Sequence, residues 1–222
     1  MMLSTANAPA NDSRRKEELL FQALALVLAA IIGFGCWFAA AALSRRDGLR
    51  GVLPDQPRQL VDFTLTDRTG RAVTRSDLDG RVLAVSFLFT GCASICPAVS
   101  EHMSQIQQLT TNEPDVRLVS LAVDPRTDTP AVLAKWGEHY GADTNRWLLL
   151  TGGKPMLREL IGTSFLPTNS TDPFNSMPGN FTGTERIAVV DKHGHVRIYY
   201  NGMHTETPAA VTAEIERLRQ EQ

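Results

Sequence analysis

Two cysteines with three residues between them, Cys92 and Cys96, are the side chains of this chain best suited to chemistry. As thiolates they can attack a disulfide sulfur or bind a soft metal ion. The stretch before them, Val82 to Phe89, is almost continuously apolar and has the length of a buried strand. Thr90 and Gly91 break it, and Pro97 suits the first turn of a helix, where its missing N–H costs nothing. Cys96 is therefore expected at a helix N-terminus with Cys92 in the loop before it. There the free N–H groups and the helix dipole favour thiolate over thiol. Sulfurs so placed can close a disulfide or share one metal ion. The bland alternative, two buried cysteines without chemistry, fits a strand-loop-helix junction poorly. Cys36 lies inside an apolar block and reads as a small packing residue.

The elements that must hold this pair alternate in type. Val61 to Thr66 reads as a half-buried strand, Asp67 to Gly70 as a turn, and Ala72-Val73 as the start of a return strand. Ser76 to Gly80 reads as one capped helical turn. After Pro97, the spacing of Val99, Met103, Ile106 and Leu109 predicts an amphipathic helix, with His102 off its apolar stripe as a solvated surface residue. Val116 to Val123 is the next buried strand. Asp124 and Asp128 end it and open a helix carrying Val132, Leu133, Trp136 and Tyr140, with Asp128 or Thr129 as its cap; electrostatic modulation of the thiols by these two carboxylates is the alternative reading. Trp147 to Leu150 is a short strand and Lys154 to Ile161 a short helix. Gly162 to Arg186 shows no periodic pattern and reads as a long loop. Ile187 to Val190 and His195 to Tyr200 flank a turn, and Pro208 to Leu218 closes as a helix. Strands alternating with helices predict an α/β domain around a central sheet.

A second apolar region stands apart. Leu19 to Leu43, 25 residues without a charge, exceeds the ~20 that a helix needs to cross a bilayer. The expected organisation is a disordered tail over 1–18, a transmembrane helix over 19–43, a linker over 44–59 and an α/β domain over 60–222. A cleavable signal peptide is the competing reading of the apolar block, although its length and late start count against it. Arg14, Arg15 and Lys16 before the span nearly balance Arg45, Arg46 and Arg50 after it, so charge does not orient it. A net charge of -2 gives no electrostatic case for nucleic acid.

Three segments together resemble the Sco/SenC family of thioredoxin-fold copper-handling and redox proteins of cytochrome c oxidase assembly. Phe87 to Pro97, Phe-Leu-Phe-Thr-Gly-Cys-Ala-Ser-Ile-Cys-Pro, is similar to the family's CxxxCP site. Ser120 to Pro130, Ser-Leu-Ala-Val-Asp-Pro-Arg-Thr-Asp-Thr-Pro, is nearly a full match to its next strand and loop. Trp147 to Gly152 matches a further stretch common there. The resemblance implies a thioredoxin-like fold with one N-terminal transmembrane helix and the C-terminal domain outside the cytoplasm, on the periplasmic side. It also implies Cu(I) as the metal, held by Cys92 and Cys96, and a copper-bearing subunit of cytochrome c oxidase, or another envelope thiol protein, as partner.

Two departures bear on function. Ala93 stands where many members have Pro, and the family's third copper ligand, a His eight residues before the Asp of the last hairpin turn, falls on Gly183. No His occurs between Tyr140 and Asp191, and the thioredoxin-type cis-Pro expected near Glu185 is absent from the sequence. Losing an imidazole weakens Cu(II) more than Cu(I), which accepts two thiolates. Met177 is a thioether in the long loop, read as an ordinary loop residue; His193, His195 and His204 read as surface residues away from the cysteines. Three functions stay open: a Cu(I) metallochaperone, a thiol-disulfide reductase with Cys92 attacking and Cys96 resolving, and a partner-binding member whose cysteines form only a structural disulfide.

Overall fold

The structure, a computed structural model, describes Gln22 and residues 28–35, 51–166 and 185–221. The chain divides into two compact units, Met1–Gly48 and Leu49–Gln222. In the first, residues 28–35 are helical, and the rest of the expected 19–43 span lies outside the described residues. Among the described residues, no helix is long and apolar enough to cross a membrane.

The second unit is built on an eight-stranded sheet in the order β1-β8-β7-β4-β5-β6-β2-β3. The strands are β1 (Arg58–Gln59), β2 (Thr64–Asp67), β3 (Ala72–Thr74), β4 (Val82–Leu88), β5 (Val116–Ala122), β6 (Trp147–Thr151), β7 (Arg186–Val190) and β8 (His195–Asn201). β4, β5 and β6 are parallel, and every residue of β4 is buried. A strand covered on both faces must be apolar on both, which is why Val82 to Leu88 lacks alternation. Ser86 is the polar exception. Its hydroxyl meets that of Ser120 at 2.8 Å, and Trp147 Nε1 donates to Ser120 Oγ at 2.9 Å. This satisfied chain fixes the register of three strands without leaving a bare polar group.

Among the described residues of this unit the helices are α1 (Ile95–Leu109), α2 (Pro130–His139), α3 (Lys154–Phe165) and α4 (Thr207–Gln220), with a 3-10 turn at Arg75–Leu78. One apolar layer joins Leu83, Val85 and Phe87 of β4 to Leu157, Leu160 and Ile161 of α3. On the other face Val82, Ala84 and Leu88 pack with Val99, Met103 and Ile106 of α1, Leu133 of α2, and Val211 and Ile215 of α4. The domain is thus a three-layer α/β sandwich, and each fully buried Leu, Val or Ile stabilises it by about 1.5–3 kcal/mol.

Several boundaries differ from the periodic reading. β2 starts at Thr64 rather than Val61, because the Leu60 N–H donates to the Gly194 carbonyl and the Val61 N–H to Ser164 Oγ. α3 runs through Gly162 to Phe165. An internal Gly costs a helix ~1 kcal/mol, but here Phe165 packs edge-on to Phe87 at 5.4 Å and its carbonyl accepts from the Tyr199 hydroxyl. Leu109, expected on the core stripe of α1, is 58% exposed at the helix end. The stretch expected as a linker supplies β1, which pairs with β8.

Candidate functional site

β4 and β5 lie side by side in parallel and end opposite one another, at Leu88 and Ala122. The loops that follow, 89–94 and 123–129, therefore leave the sheet at the same edge. Outside the carboxyl ends of parallel strands is where α/β proteins place their chemistry. Here the first loop carries Cys92 and delivers Cys96 to the first turn of α1. The Cys92 N–H donates to the Phe89 carbonyl at 3.0 Å, which turns the chain away from the sheet. Pro97 is the third residue of α1, as the sequence requires.

The two sulfurs are adjacent and unlike. The Cys96 N–H donates to Cys92 Sγ at 3.5 Å, and the Phe89 N–H donates to Cys96 Sγ at 3.4 Å. Cys96 is 1% exposed within the α1 layer, while Cys92 is half-buried. Burial raises both thiols, but at Cys92 it is outweighed by the N–H groups of Cys96, Ser94 and Ile95, and the net pKa falls below the ordinary thiol value. At Cys96 burial dominates and pushes the thiol up to about 12, with the charges of Cys92 and Asp128 adding to it. The expectation that the helix N-terminus favours thiolate is met at Cys92 and corrected at Cys96. The free N–H groups of the first turn point at the sulfur outside the helix, and the sulfur on the helix is sunk in the core. Both are free thiols, one part-exposed with a lowered pKa and one buried with a raised pKa.

From the sequence Asp128 reads as a strand terminator or helix cap, or else as a charge acting on the thiols. Thr129 is the cap of α2, its side chain accepting from the Val132 N–H. Asp128 instead turns inward to the dithiol loop and is 0% exposed. Its Oδ1 accepts from the Thr90 N–H at 3.1 Å and from the Thr90 hydroxyl, and its Oδ2 is buried without a hydrogen-bond partner. Burial raises its pKa against the two Thr90 bonds, with the charge of Asp124 raising it further. Asp124 keeps its expected role as a turn former. Its carboxylate accepts from the Arg126 N–H and the Thr127 hydroxyl. The full burial of Asp128 was not legible from spacing, since Asp before Thr-Pro is also what a helix start looks like.

The histidines divide differently from expectation. β7 runs antiparallel to β4, and Val190 pairs with Leu83, so the Asp191 turn with His193 and His195 sits at the end of the sheet opposite the cysteines. β8 returns toward the dithiol edge, where Asn201 pairs with Arg186, so exposed His204 follows on that edge rather than away from it. His102 is half-buried, and its Nδ1 bonds the Gly202 carbonyl at 2.8 Å, tying α1 to the β8–α4 turn. Met177 and Gly183 lie outside the described residues. Among the described residues, no group of three His, Cys, Asp or Glu side chains is arranged to hold a metal ion. Among the described residues the donor set at the site is two sulfurs, which fits Cu(I) and not the four-ligand preference of structural zinc.

These features find counterparts in known proteins. The SCO1 protein homolog of Bacillus subtilis (strain 168) is 37% identical over 95 residues, 42% of this chain and 49% of that protein, so the match spans about half the relative's length. BsSco, a member of the Sco family of cytochrome c oxidase assembly proteins in which a disulfide switch was identified, is 24% identical with a TM-score of 0.61, the match covering 78% of this chain and 98% of that one. Bradyrhizobium japonicum ScoI, solved with copper bound, is 24% identical with a TM-score of 0.56, covering 72% and 99%. Both structures share this chain's thioredoxin-like fold. The SCO1/SenC family model matches residues 53–220, a stretch that holds all eight strands, all four helices and both thiols of the site, and the chain belongs to the SCO1/SenC family.

Proposed function

We propose that this chain is an assembly factor of the Sco type that works through the Cys92–Cys96 dithiol on a thiol-bearing envelope protein, a copper-bearing subunit of cytochrome c oxidase being the partner of choice. The observation that carries this reading is the split between a half-exposed thiol with a lowered pKa and a buried one with a raised pKa. The Cys92 thiolate attacks one sulfur of the partner's disulfide, forms a mixed disulfide and releases one partner thiolate. The Cys96 sulfur then attacks Cys92 Sγ, giving up its proton, and expels the second partner thiolate. The partner disulfide is reduced, its two thiolates take up the Cys96 proton and one from solvent, to which Cys92 had lost its own, and this chain is left as the Cys92–Cys96 disulfide until an external dithiol reduces it.

Copper enters this scheme as cargo. Cys92 and Cys96 are the residues that would hold Cu(I), which accepts two soft thiolates without a third ligand. Membrane anchoring through residues 19–43, with the domain on the periplasmic side, fits the apolar composition of that span and an oxidising compartment for the disulfide step. The test uses the full chain. Its dithiol is titrated with Cu(I) against a competing chelator, and its reduction potential is measured in parallel. A potential in the exchanging range, roughly -270 to -120 mV, supports the reading, and one well below about -300 mV marks a structural disulfide and contradicts it. Competitive Cu(I) binding that either Cys→Ser change abolishes supports the cargo role, and failure to compete removes it.

A further inference from the structure

We propose that the turn between β7 and β8 carries a metal site distinct from the dithiol, in which His193 and His195 clasp a divalent ion that prefers nitrogen, Cu(II) more tightly than Zn(II). The turn lies at the end of the sheet opposite the cysteines, and the site is independent of the exchange reading above.

The two imidazoles are brought together by the turn itself. Both are exposed, one on either side of Gly194, which takes φ +82° and lets the chain reverse there. Their ring centroids are 6.3 Å apart, with the planes inclined by 56°. Metal–nitrogen bonds of ~2.0–2.1 Å put two imidazoles sharing one ion about 5 to 6.5 Å apart, centre to centre. The pair thus stands at the open end of that range, and a small rotation of either exposed ring closes it.

The backbone that carries the rings is fixed before any ion arrives. Asp191 Oδ1 accepts from the N–H groups of His193 and His195, both at 2.9 Å, so one oxygen holds both carriers. The His193 carbonyl accepts from Gln59 Nε2 at 3.0 Å, and the Gly194 carbonyl from the Leu60 N–H at 2.8 Å. The Lys192 carbonyl accepts from the Gly80 N–H at 3.1 Å. A turn tied down in this way has little freedom to lose on binding, which favours a site of only two protein ligands.

Asp191 supplies the second argument. The same Oδ1 lies 3.5 Å from His195 Nδ1, which leaves Nε2, across the ring, for a metal. A carboxylate behind one ring nitrogen is the arrangement that orients metal-binding histidines and makes them more basic. Asp191 stands behind a ligand rather than serving as one, because its Oδ2 is taken by Arg197. The turn therefore offers two donors and not three. The cations around it have partners of their own: Arg197 pairs with Asp191 and Glu221, Arg75 with Asp62, and Lys192 Nζ donates to the Arg219 and Glu221 carbonyls at the end of α4. The choice of ion follows from the donors. Affinity of imidazole for divalent ions peaks at Cu(II), whereas the two thiolates at the other end of the sheet suit Cu(I).

The experiment titrates Cu(II) into the full chain carrying Cys36→Ser, Cys92→Ser and Cys96→Ser, so that no thiol competes for the ion or reduces it. Affinity is read by calorimetry and ligation by electron paramagnetic resonance. One ion is expected to bind, with the hyperfine pattern of two imidazole nitrogens. Adding His193→Ala or His195→Ala should weaken it about tenfold or more and leave one nitrogen, while His204→Ala stays within about twofold. Unchanged binding in the His195→Ala protein, or no uptake by the thiol-free parent, overturns the inference and leaves the dithiol reading as it stands. Where an alanine variant does not fold, Zn(II) is titrated into the thiol-free parent by NMR. The His193 and His195 ring resonances should then shift together, ahead of those of His139 and His204. Shifts that begin at the other histidines overturn the inference as well.

Discussion

Asp128 and Asp191 are both buried aspartates, and they stand at opposite ends of the same sheet. Asp191, 8% exposed, is saturated: its Oδ1 accepts from the His193 and His195 N–H groups, and its Oδ2 accepts from Arg197. Burial raises it, but those bonds win and its pKa is lowered. Asp128, fully buried, has Thr90 on one oxygen and nothing on the other, and its pKa is raised. The first carboxylate is a structural knot that its surroundings want ionised. The second is a charge its surroundings resist, held against the dithiol loop through Thr90. Asp128 is the more deeply buried of the two and Asp191 has the cationic donor, and both differences push their pKa values apart.

The largest expected effect breaks the knot. Asp191→Ala removes the acceptors that close the β7–β8 turn and is expected to cost about 2–4 kcal/mol in chemical denaturation, with the dithiol equilibrium unchanged. A comparable shift in that equilibrium would mean the two ends are coupled. The pH dependence sharpens the contrast. A lowered folded pKa contributes stability that is full above the unfolded value near ~4 and is lost as pH falls through the folded value. Asp191 therefore supports the fold at neutral pH and stops doing so in acid, and Asp191→Asn loses ground to wild type as pH is raised from 3 to 7.

Asp128 has the opposite sign. A raised folded pKa means that ionisation costs stability as pH rises from the unfolded value through the folded one. The stability of Asp128→Asn minus that of wild type is therefore expected to increase from pH 3 to pH 7. A difference that falls over the same range would place a partner on Oδ2. The smallest effect belongs to Thr90→Val, which deletes one hydroxyl bond to Asp128 and keeps the amide; a loss of about 1 kcal/mol in thermal unfolding is expected. No loss would mean that the amide alone holds the loop.

Most of the fold was legible because its elements are long or strongly patterned. β4 announced itself as an unbroken apolar run, α1 by the period of Val99, Met103 and Ile106, and the last hairpin by its turn residues. The misses share a cause. Gly162 and Val61 follow tertiary bonds to partners over a hundred residues away or to an aromatic contact, and no local window contains those. At the site, the two cysteines and their strand-loop-helix setting were readable. Their inequality was not, since it depends on how deep α1 sinks Cys96 against β4, and neither was the inward turn of Asp128, whose sequence context equally suits a cap.

In the proposed exchange Cys92 alone attacks and Cys96 resolves. Its most direct test is mixed-disulfide trapping with glutathione disulfide at pH 7, in full-length Cys36→Ser protein carrying either Cys96→Ser or Cys92→Ser. With Cys92 as the remaining site thiol, the Cys92–glutathione adduct should accumulate at least tenfold faster than the adduct at Cys96 in the other variant, as the thiolate fractions dictate. Equal rates, or faster trapping at Cys96, would contradict it.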